Sequence, residues 1–222
     1  MSQPTDSRAT YNAIYRTYVS GTPEFEVSLR NLAKAKRRVA LVLRRFHVRL
    51  DSKDQRVLDV GCGLGFYTKA LSLTGATVTG LDISDTGIEL ARQSFPGCSF
   101  IRGAFPNDIP ATQKYDLIWA IDLSLLNTFD FGAIERDFVG PALARLQPGG
   151  CLVIGWHTDF SGRRDASFSQ WTRADFVQLR RICGVSGPRL VEVPGHLLST
   201  GAMRICEWFR TPTPVFFIRR AP

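Results

Sequence analysis

A glycine-rich segment that follows an apolar stretch is the part of the sequence best suited to hold a ligand. Residues 57–65 read Val-Leu-Asp-Val-Gly-Cys-Gly-Leu-Gly, and the apolar start predicts a buried strand. The glycines Gly61, Gly63 and Gly65 let the backbone turn tightly and approach a ligand, because no Cβ stands in the way. The sequence therefore predicts a strand that runs into a loop across which a flat or extended ligand lies.

Two acids near this loop restrict the kind of ligand. The glycine spacing is G-x-G-x-G, whereas a dinucleotide site needs a third glycine where Phe66 stands. Asp59, two residues before Gly61, would repel a pyrophosphate and attract an ammonium group. Asp82 ends the next apolar stretch, where a carboxylate accepts hydrogen bonds from both hydroxyls of a ribose. These residues predict an adenosine-containing ligand with a positive charge and no pyrophosphate.

Four segments of the chain resemble, in order, those of the class I S-adenosylmethionine-dependent methyltransferases: VLDVGCGLG, VTGLDIS, YDLIWAID and LQPGGCLVI. They lie between Arg56 and Trp156, somewhat under half of the chain. The resemblance implies an α/β fold with a Rossmann-like, doubly wound, mostly parallel seven-stranded sheet. It also implies S-adenosylmethionine as cofactor, S-adenosylhomocysteine as its product, and no metal.

The resemblance also implies contacts with the amino-acid part of the cofactor. Asp59, Gly61 and Gly63 are expected to line the methionine moiety. Ala120 and Ile121, at the end of the predicted fourth strand, are expected to offer backbone carbonyls to the cofactor's amino group.

At the nucleoside end the resemblance is less complete. Asp82 is expected to hold the ribose, and Ile83 to pack on the adenine. Similar enzymes commonly carry a Gly-Asp pair after the third strand whose acid faces the adenine amine, whereas this chain has Gly-Ala-Phe there. Two alternatives replace that acid: backbone groups of Ala104 or Phe105, or the side chain of Asp108.

Two further residues are candidates for catalysis. Methyl transfer from a sulfonium is an in-line displacement, so the protein supplies alignment, exclusion of water and, for weakly acidic acceptors, a base. His157 directly follows the predicted fifth strand, and histidine titrates where a general base is most effective. Asp122 follows the fourth strand and is expected to face the cofactor amine or the acceptor. The alternatives are a loop histidine without a chemical role and a surface acid.

Residues 1–50 are expected to form a helical cap over a core of residues 51–222. Tyr11 and Tyr15 recur at helical spacing near the N-terminus. The leading helix of similar methyltransferases closes over the cofactor, so both tyrosines are expected to form part of a lid; the alternative is that they are core aromatics. The second helix has an apolar stripe and a basic outer side, either a solvated face or a docking surface for an anionic partner.

Strands and helices alternate along the rest of the chain, which predicts parallel crossovers. Apolar stretches indicate strands at Arg56–Val60, Thr77–Asp82, Ser99–Arg102, Tyr115–Ile121, Cys151–Trp156, Arg189–Val193 and Pro214–Arg219. Helical periodicity and capping residues indicate helices at Thr10–Val19, Leu29–Leu50, Leu64–Thr74, Ser84–Phe95, Gly132–Leu146 and Thr172–Cys183. The site is expected on the loops after the first, second, fourth and fifth strands, because ligands bind at the carboxyl ends of parallel strands.

Composition limits the class of protein. The chain has 222 residues, 44% of them hydrophobic, and a formal net charge of +8. These values indicate a folded domain and raise the prior for anionic partners or acceptors. Five cysteines without a C-x-x-C pattern argue against a disulfide framework and predict free thiols. No apolar run is long enough to span a bilayer, and none near the N-terminus suits a signal sequence, so a cytoplasmic protein is expected.

The sequence favours methyl transfer to an oxygen or nitrogen atom of a small molecule, and its basic charge suits an anionic one. Two alternatives stay open: transfer to a macromolecule (RNA, protein or acyl carrier), and a cofactor-binding subunit without catalysis. Base-modifying enzymes of similar fold often carry Asn/Asp-Pro-Pro-aromatic after the fourth strand, but residues 120–123 are Ala-Ile-Asp-Leu. This difference disfavours nucleic acid as the partner, and the oligomeric state is left open.

Overall fold

The strands build one sheet. The computed structural model describes residues 7–19, 31–164, 169–184, 190–192 and 213–222. The strands in this part of the chain are β1 (Arg56–Val60), β2 (Thr77–Asp82), β3 (Ser99–Arg102), β4 (Tyr115–Ile121), β5 (Leu146–Thr158), β6 (Leu190–Glu192) and β7 (Thr213–Arg220). They pair in the order β3-β2-β1-β4-β5-β7-β6. Neighbours among β1 to β5 run parallel, whereas β7 runs antiparallel to β5 and β6. The predicted doubly wound, mostly parallel seven-stranded α/β fold is confirmed.

Helices connect the strands. The described ones are α1 (Ser7–Val19), α2 (Leu32–Arg45), α3 (Phe66–Ser72), α4 (Asp85–Ser94), α5 (Phe131–Ile134), α6 (Gly140–Ala144) and α7 (Arg173–Ile182). A 3-10 turn covers Ser124–Thr128, and a π turn at Glu135–Val139 joins α5 to α6. The single helix predicted over Gly132–Leu146 is therefore interrupted by the π turn and ends at Ala144. Pro141, which has no N–H to donate, follows this turn closely.

The second helix is shorter than predicted. The apolar spacing predicts a helix over Leu29–Leu50, but α2 ends at Arg45. His47 has a left-handed φ of 53°, a conformation that a right-handed helix does not continue. Phe46 and Leu50 are nevertheless buried, so the apolar pattern carries on past the end of the helix. The predicted C-terminal end of this helix was wrong, because Phe46 and Leu50 are apolar for burial in the core and not for a place on the helix.

The two faces of the sheet bury separate apolar clusters. Alternate residues of each strand point to opposite faces, so Leu58 joins one cluster and its neighbour Val57 joins the other. Helices α5 to α7 cover the face of Leu58, and helices α2 and α3 cover the face of Val57. Each fully buried apolar side chain of this size contributes roughly 1.5–3 kcal/mol. The sheet is thus held from both sides, and its strand ends are fixed in position.

The carboxyl ends of β1, β2, β4 and β5 meet at one edge of the sheet, because these strands run parallel. The strand order reverses direction between β1 and β4, and ligands of open α/β sheets bind at such a reversal. We call this the carboxyl edge. The residues predicted to do chemistry follow the strands that end there.

The cysteines match the prediction of free thiols in the described residues. Cys62, Cys151 and Cys183 are buried, Cys98 is half-buried, and all four are free. Cys206 lies outside the described residues. Within the same ranges the structure contains no helix with the length and apolar character that crossing a membrane requires.

Candidate active site

The glycine loop after β1 has a backbone that other residues adopt poorly. Gly61, Gly63 and Gly65 have φ angles of 73°, 51° and 80°, in the left-handed region that glycine enters without strain. Space is restricted as well. A Cβ on Gly61 would lie 2.5 Å from Leu123 Cδ2, and a Cβ on Gly63 would lie 2.6 Å from the Tyr15 hydroxyl oxygen. Conformation and packing therefore both require glycine at these two positions.

Asp82 connects the glycine loop after β1 with the loop after β2 through hydrogen bonds. The Gly63 N–H donates to Asp82 Oδ2 at 2.8 Å, and the Ser84 N–H donates to Asp82 Oδ1 at 2.8 Å. Burial raises the pKa of this carboxyl, and the hydrogen bonds from the Ser84 and Gly63 backbones oppose that rise. The Ile83 backbone also lowers the pKa through a hydrogen bond, and a carboxylate with about four acceptor sites still has room for a further donor. The arrangement fits the two hydroxyls of a ribose.

Asp59 lies at the base of the glycine loop, and it is buried. The Thr68 hydroxyl donates to Asp59 Oδ2 at 2.6 Å. Burial raises the pKa of Asp59 to about 7; the Thr68 hydrogen bond opposes this, and the charge of Asp82 adds to it. A cationic group placed beside Asp59 would stabilise its carboxylate form. This environment fits the ammonium group expected from the sequence.

The loop after β3 is closed by an acid of its own. The Ala104 N–H donates to Asp108 Oδ2 at 2.7 Å, and the Ala104 carbonyl accepts the Asp108 N–H at 3.0 Å. The Phe105 ring packs edge-on against Phe138 with centroids 5.7 Å apart. The Ala104 backbone is thus already engaged, and the carboxylate of Asp108 lies where the sequence lacks the expected acid. Contacts of Ala104, Phe105 and the half-buried Ile83 with a ligand stay predictions.

Asp122 and His157 form a pair at the ends of β4 and β5. Ile121 lies opposite Gly155 in the register of these parallel strands, which places Asp122 beside His157. The sequence predicts His157 just after the fifth strand, but it is the penultimate residue of β5, because pairing with β7 extends that strand to Thr158. The His157 N–H donates to Asp122 Oδ1 at 3.1 Å, and His157 Nδ1 lies 2.7 Å from Asp122 Oδ2. Asp122 adopts a left-handed φ of 52°, which turns its carboxylate onto the histidine.

This pairing sets what the imidazole can do. A neutral ring that donates its Nδ1 proton to a carboxylate presents Nε2 as an acceptor. The Nε2 atom of His157 is buried and has no hydrogen-bond partner among the described residues. The histidine is therefore oriented by Asp122, and the nitrogen able to take up a proton is left for a group that enters the site.

Helix α1 is attached to the start of α4, beside Asp82. The Asn12 Oδ1 atom accepts the Ser84 hydroxyl at 2.6 Å and the Thr86 N–H at 3.3 Å. Arg8 pairs with Asp85 at 2.6 Å. These contacts hold α1 over the loop that follows β2.

Two tyrosines of α1 reach the carboxyl edge. The Tyr15 ring lies against Gly63, and also against Gly87 in α4. Tyr11 bonds to Ser124; burial raises its pKa, the Ser124 hydrogen bond opposes this, and the charges of Asp82 and Asp122 add to the rise. Tyr11 therefore lies between the loops that follow β2 and β4. This placement is the one expected of a lid, and contact with a cofactor stays a prediction.

Comparisons with known proteins agree with this geometry. Residues 57–150 match the family model described as "Methyltransferase domain". The magnesium protoporphyrin IX methyltransferase of Synechocystis, solved with bound S-adenosylhomocysteine, superposes with a TM-score of 0.63 at 16% identity, covering 99% of this chain and 100% of that one. Residues 57–150 are thus similar to a methyltransferase domain, and the fold is that of solved S-adenosylmethionine-dependent methyltransferases. At this identity the structural likeness itself shows the fold alone.

The curated relatives that this chain matches are named for different acceptors. One is the ribosomal RNA small subunit methyltransferase C of Chromohalobacter salexigens, 34% identical over 107 residues that are 47% of this chain and 32% of the relative. Another is the fatty-acid O-methyltransferase of Mycolicibacterium smegmatis, 34% identical over 130 residues that are 56% of this chain and 43% of the relative. The chain thus spans a third to under a half of the length of these relatives.

Two contacts of the candidate site were not predicted from the sequence. Thr68 and Asn12 each bond a residue that was foreseen, Asp59 and Ser84 respectively. Thr68 is a fully buried polar residue in the first turn of α3, and a polar residue there was a usable signal. Asn12 stands between the two tyrosines that the sequence singled out, so the same helical face held a third candidate.

Among the described residues, no three His, Cys, Asp or Glu side chains are grouped so that they could hold a metal ion. The candidate site consists of carboxylates held by backbone and hydroxyl donors, a histidine, and glycines.

Proposed function

We propose that this protein transfers the methyl group of S-adenosylmethionine to an oxygen or nitrogen atom of a small-molecule acceptor. The observation that carries the proposal is the Asp122–His157 pair, joined by two hydrogen bonds of 3.1 and 2.7 Å at the same edge as the glycine loop. A cofactor-binding loop alone would support binding. The oriented histidine beside it supports chemistry.

Binding of the cofactor falls to the ends of β1, β2 and β4. Asp82 would accept the ribose hydroxyls through its remaining acceptor sites. Asp59 would attract the ammonium group, together with the backbone carbonyls of Ala120 and Ile121 as the resemblance implies. At the adenine end Asp108 is placed to accept from the exocyclic amine, because its carboxylate closes the loop after β3.

Proton removal falls to the ends of β4 and β5. When bound, S-adenosylmethionine supplies a methyl group on a sulfonium that leaves readily. A hydroxyl acceptor must lose its proton as the new bond forms, and His157 Nε2 is the described acceptor for it. Asp122 stabilises the imidazolium that results, as a carboxylate on Nδ1 does in other acid–base pairs. Helix α1, with Tyr11 and Tyr15, would exclude water from this step.

A small acceptor is supported by one relative in particular. The fatty-acid O-methyltransferase, 34% identical over 130 residues, is named for an apolar acceptor with an oxygen nucleophile. A general base beside the site agrees with an oxygen nucleophile. The net charge of +8 favours an acceptor with an anionic group.

A macromolecular acceptor is the second candidate. Its support is the ribosomal RNA methyltransferase, 34% identical over 107 residues, together with the basic outer side of α2. The segment Ala120–Leu123 opposes it, because it lacks the proline and aromatic residues on which an extruded base stacks.

The test separates binding from transfer. Titration calorimetry with S-adenosylhomocysteine measures binding, and Asp82→Ala should weaken it at least about 100-fold, since two hydrogen bonds to a charged acceptor are worth about 1.5–3 kcal/mol each. Asp116→Asn is a matched control, because Asp116 also accepts a backbone N–H, from Arg56 at 2.8 Å, but at the opposite edge. The control should bind like wild type.

Transfer is followed with S-adenosylmethionine labelled in the methyl group, incubated with the small-molecule, RNA and protein fractions of a cell lysate. Label in the small-molecule fraction is the expected result. Label in RNA or protein would favour the second candidate. Binding without label in any fraction would indicate a cofactor-binding subunit without catalysis, and absence of binding would contradict the proposal itself.

A further inference from the structure

The outer side of α2 carries a dense set of positive charges. Residues 31–50 contain seven basic side chains and no acidic one. The buried residues of α2 are Ala35, Val39, Val42 and Leu43, so the helix presents its other sides to solvent. Five exposed basic side chains form what we call the basic face: Lys34, Lys36, Arg37, Arg44 and Arg45. The face extends over about 17 Å at 1.5 Å per residue.

The N-terminal half of this helix lies beside the active-site edge. Arg38 Nη1 donates to the hydroxyl of Tyr67 at 3.2 Å, and Tyr67 stands in the first turn after the glycine loop. At the other end Arg220 Nη2 donates to the carbonyls of Phe46 and His47 at 2.6 and 3.1 Å. Strand β7 ends at Arg220 and runs antiparallel to β5, so that end of α2 lies at the amino edge. The basic face thus leads from one edge of the sheet to the entrance of the site.

A hollow opens at the N-terminal end of the basic face. Its volume is about 520 Å³, and its described lining is Leu32, Ala33, Lys36 and Arg37. Two apolar and two cationic side chains therefore share one shallow, open surface. A molecule that joins an anionic head to an apolar chain complements both parts of this lining.

We propose that the basic face of α2 docks the protein on an anionic lipid surface, with the hollow receiving a lipid headgroup and the first part of its chain. Each basic residue near such a surface strengthens attachment by about fivefold, and salt weakens it. The hollow and the charge lie on the same helix, and both lie next to the edge at which an apolar acceptor would enter.

RNA fits this face less well than lipid does. The exposed positions of α2 outside the basic face are Ala33 and Ala40. The helix therefore exposes no aromatic ring on which a base stacks; its arginines could pair with guanine, but no amide or hydroxyl beside them would read another base edge. Phosphates of RNA would be attracted to the charges, but RNA has no apolar chain to place against Leu32 and Ala33.

The test is co-sedimentation with vesicles of two compositions: phosphatidylglycerol mixed with phosphatidylcholine, and phosphatidylcholine alone. Wild-type protein should bind the anionic vesicles, release at raised salt, and leave the neutral vesicles unbound. The triple variant Lys34→Gln, Arg44→Gln, Arg45→Gln should bind the anionic vesicles about 100-fold less tightly, from about fivefold per residue. Arg37 is kept, because it lines the hollow.

A matched control removes the same charge from the opposite face of the sheet. The variant Lys114→Gln, Arg136→Gln, Arg181→Gln changes residues that belong to, or bond with, the helices α5 to α7 and their connections, and it should bind vesicles like wild type. Equal loss in both triple variants, or equal binding to neutral and anionic vesicles, would overturn the proposal. Binding of mixed-sequence RNA without binding of anionic vesicles would also overturn it, in favour of a nucleic-acid surface.

Calorimetry with S-adenosylhomocysteine on both triple variants keeps this result separate from the proposed function. None of the substituted residues belongs to the candidate site, so cofactor affinity should be unchanged. Lost vesicle binding with unchanged cofactor affinity supports docking through α2. If cofactor affinity falls together with vesicle binding, the substitutions disturb the fold. The single variant Lys34→Gln then decides: docking predicts about fivefold weaker binding to anionic vesicles with unchanged cofactor affinity.

Discussion

Asp82 and Asp122 both follow the pattern of a carboxylate at the end of a parallel strand, but they have different partners. Asp82 accepts two backbone N–H groups at 2.8 Å each, and these donors neither move nor titrate. Asp122 accepts from the backbone and the ring of His157, and an imidazole has a second nitrogen that can accept a proton. Under the proposed function, the first arrangement holds the ligand and the second moves the proton. Binding and proton transfer are thus assigned to different strand ends of one edge.

The strongest test of this division is His157→Gln. With an oxygen acceptor identified by the transfer assay, kcat should fall by about 10²–10⁴, the usual contribution of a general base. The affinity for S-adenosylhomocysteine should stay at the wild-type value, because His157 belongs to the half of the site that moves the proton. Steady-state kinetics and calorimetry on the same preparation measure the two quantities.

The reverse pattern is expected for Asp82→Ala, in which the affinity should collapse. A variant in which both quantities fall together at either position would mean that the two strand ends act as one unit. The comparison between them would then be wrong.

The next largest effect concerns stability at Asp59. Burial raises the pKa of this carboxyl from 3.8 to about 7, so its proton is bound more tightly in the folded chain than in the unfolded one. Its stabilising contribution is complete below pH 3.8 and is lost as the pH rises through about 7. Asp59→Asn should therefore raise the free energy of unfolding at pH 8 by as much as about 4 kcal/mol, from about 3 pKa units. Urea unfolding at pH 8 and pH 4 measures it, with little change expected at pH 4.

The same residue predicts a pH dependence of binding. If the carboxylate of Asp59 attracts the ammonium group, wild-type affinity for S-adenosylhomocysteine should rise with pH up to about 7, by at most tenfold per pH unit, and then level off. Asp59→Asn should bind weakly and lack this rise. A variant that keeps the wild-type pH profile would contradict the role of Asp59.

A smaller effect is expected for Gly63→Ala. A left-handed backbone costs other residues about 1–2 kcal/mol, and the new Cβ would lie 2.6 Å from the hydroxyl oxygen of Tyr15. The loop must shift, and cofactor affinity should fall by about tenfold from that cost alone. Gly97→Ala is the control, because a Cβ there meets nothing within 4 Å. Adding Tyr15→Phe to Gly63→Ala should recover part of the loss, and no recovery would argue against the contact.

The smallest expected effect is on recognition of the base, at Asp108. Asp108→Ala removes the acceptor of the Ala104 N–H, and affinity for S-adenosylhomocysteine should fall by roughly fivefold to tenfold, the worth of about one hydrogen bond. The sharper measurement uses S-inosylhomocysteine, which lacks the amine. Wild type should prefer the adenine form, and the variant should not; a preference that persists would assign the amine to another residue.

The fold was predictable where local pattern and burial agree. Strands β1 to β4 have the predicted bounds, because apolar stretches there are cut off by glycine, proline and charged residues. Strand β5 is longer than predicted, at Leu146–Thr158 instead of Cys151–Trp156, because Leu146 pairs with Tyr115 of β4 before an irregularity, after which the pairing resumes at Cys151. The end of α2 was missed for a similar reason, because Phe46 stays buried after the helix stops.

The candidate site was predictable one residue at a time, but not in its contacts. Asp82, Asp122 and His157 were each placed at a strand end by the sequence. The hydrogen bonds between Asp122 and His157 depend on the register of β4 against β5 and on the left-handed φ of 52° at Asp122. Neither feature follows from a local sequence pattern. The hydrogen bond from the Ala104 N–H to Asp108 spans four residues of the loop after β3, and the sequence does not define the backbone path of that loop.

The two apolar clusters share a sheet but no side chain. Core substitutions in helices α5 to α7 therefore reach the glycine loop through strands that the helices of the other face also hold, and through Leu123, which packs on the first cluster and lies against Gly61. Under the proposed function, the acceptor side of the site could change while the cofactor side keeps its shape. Separate apolar clusters on the two faces of the sheet are compatible with relatives that are named for acceptors as different as ribosomal RNA and fatty acids.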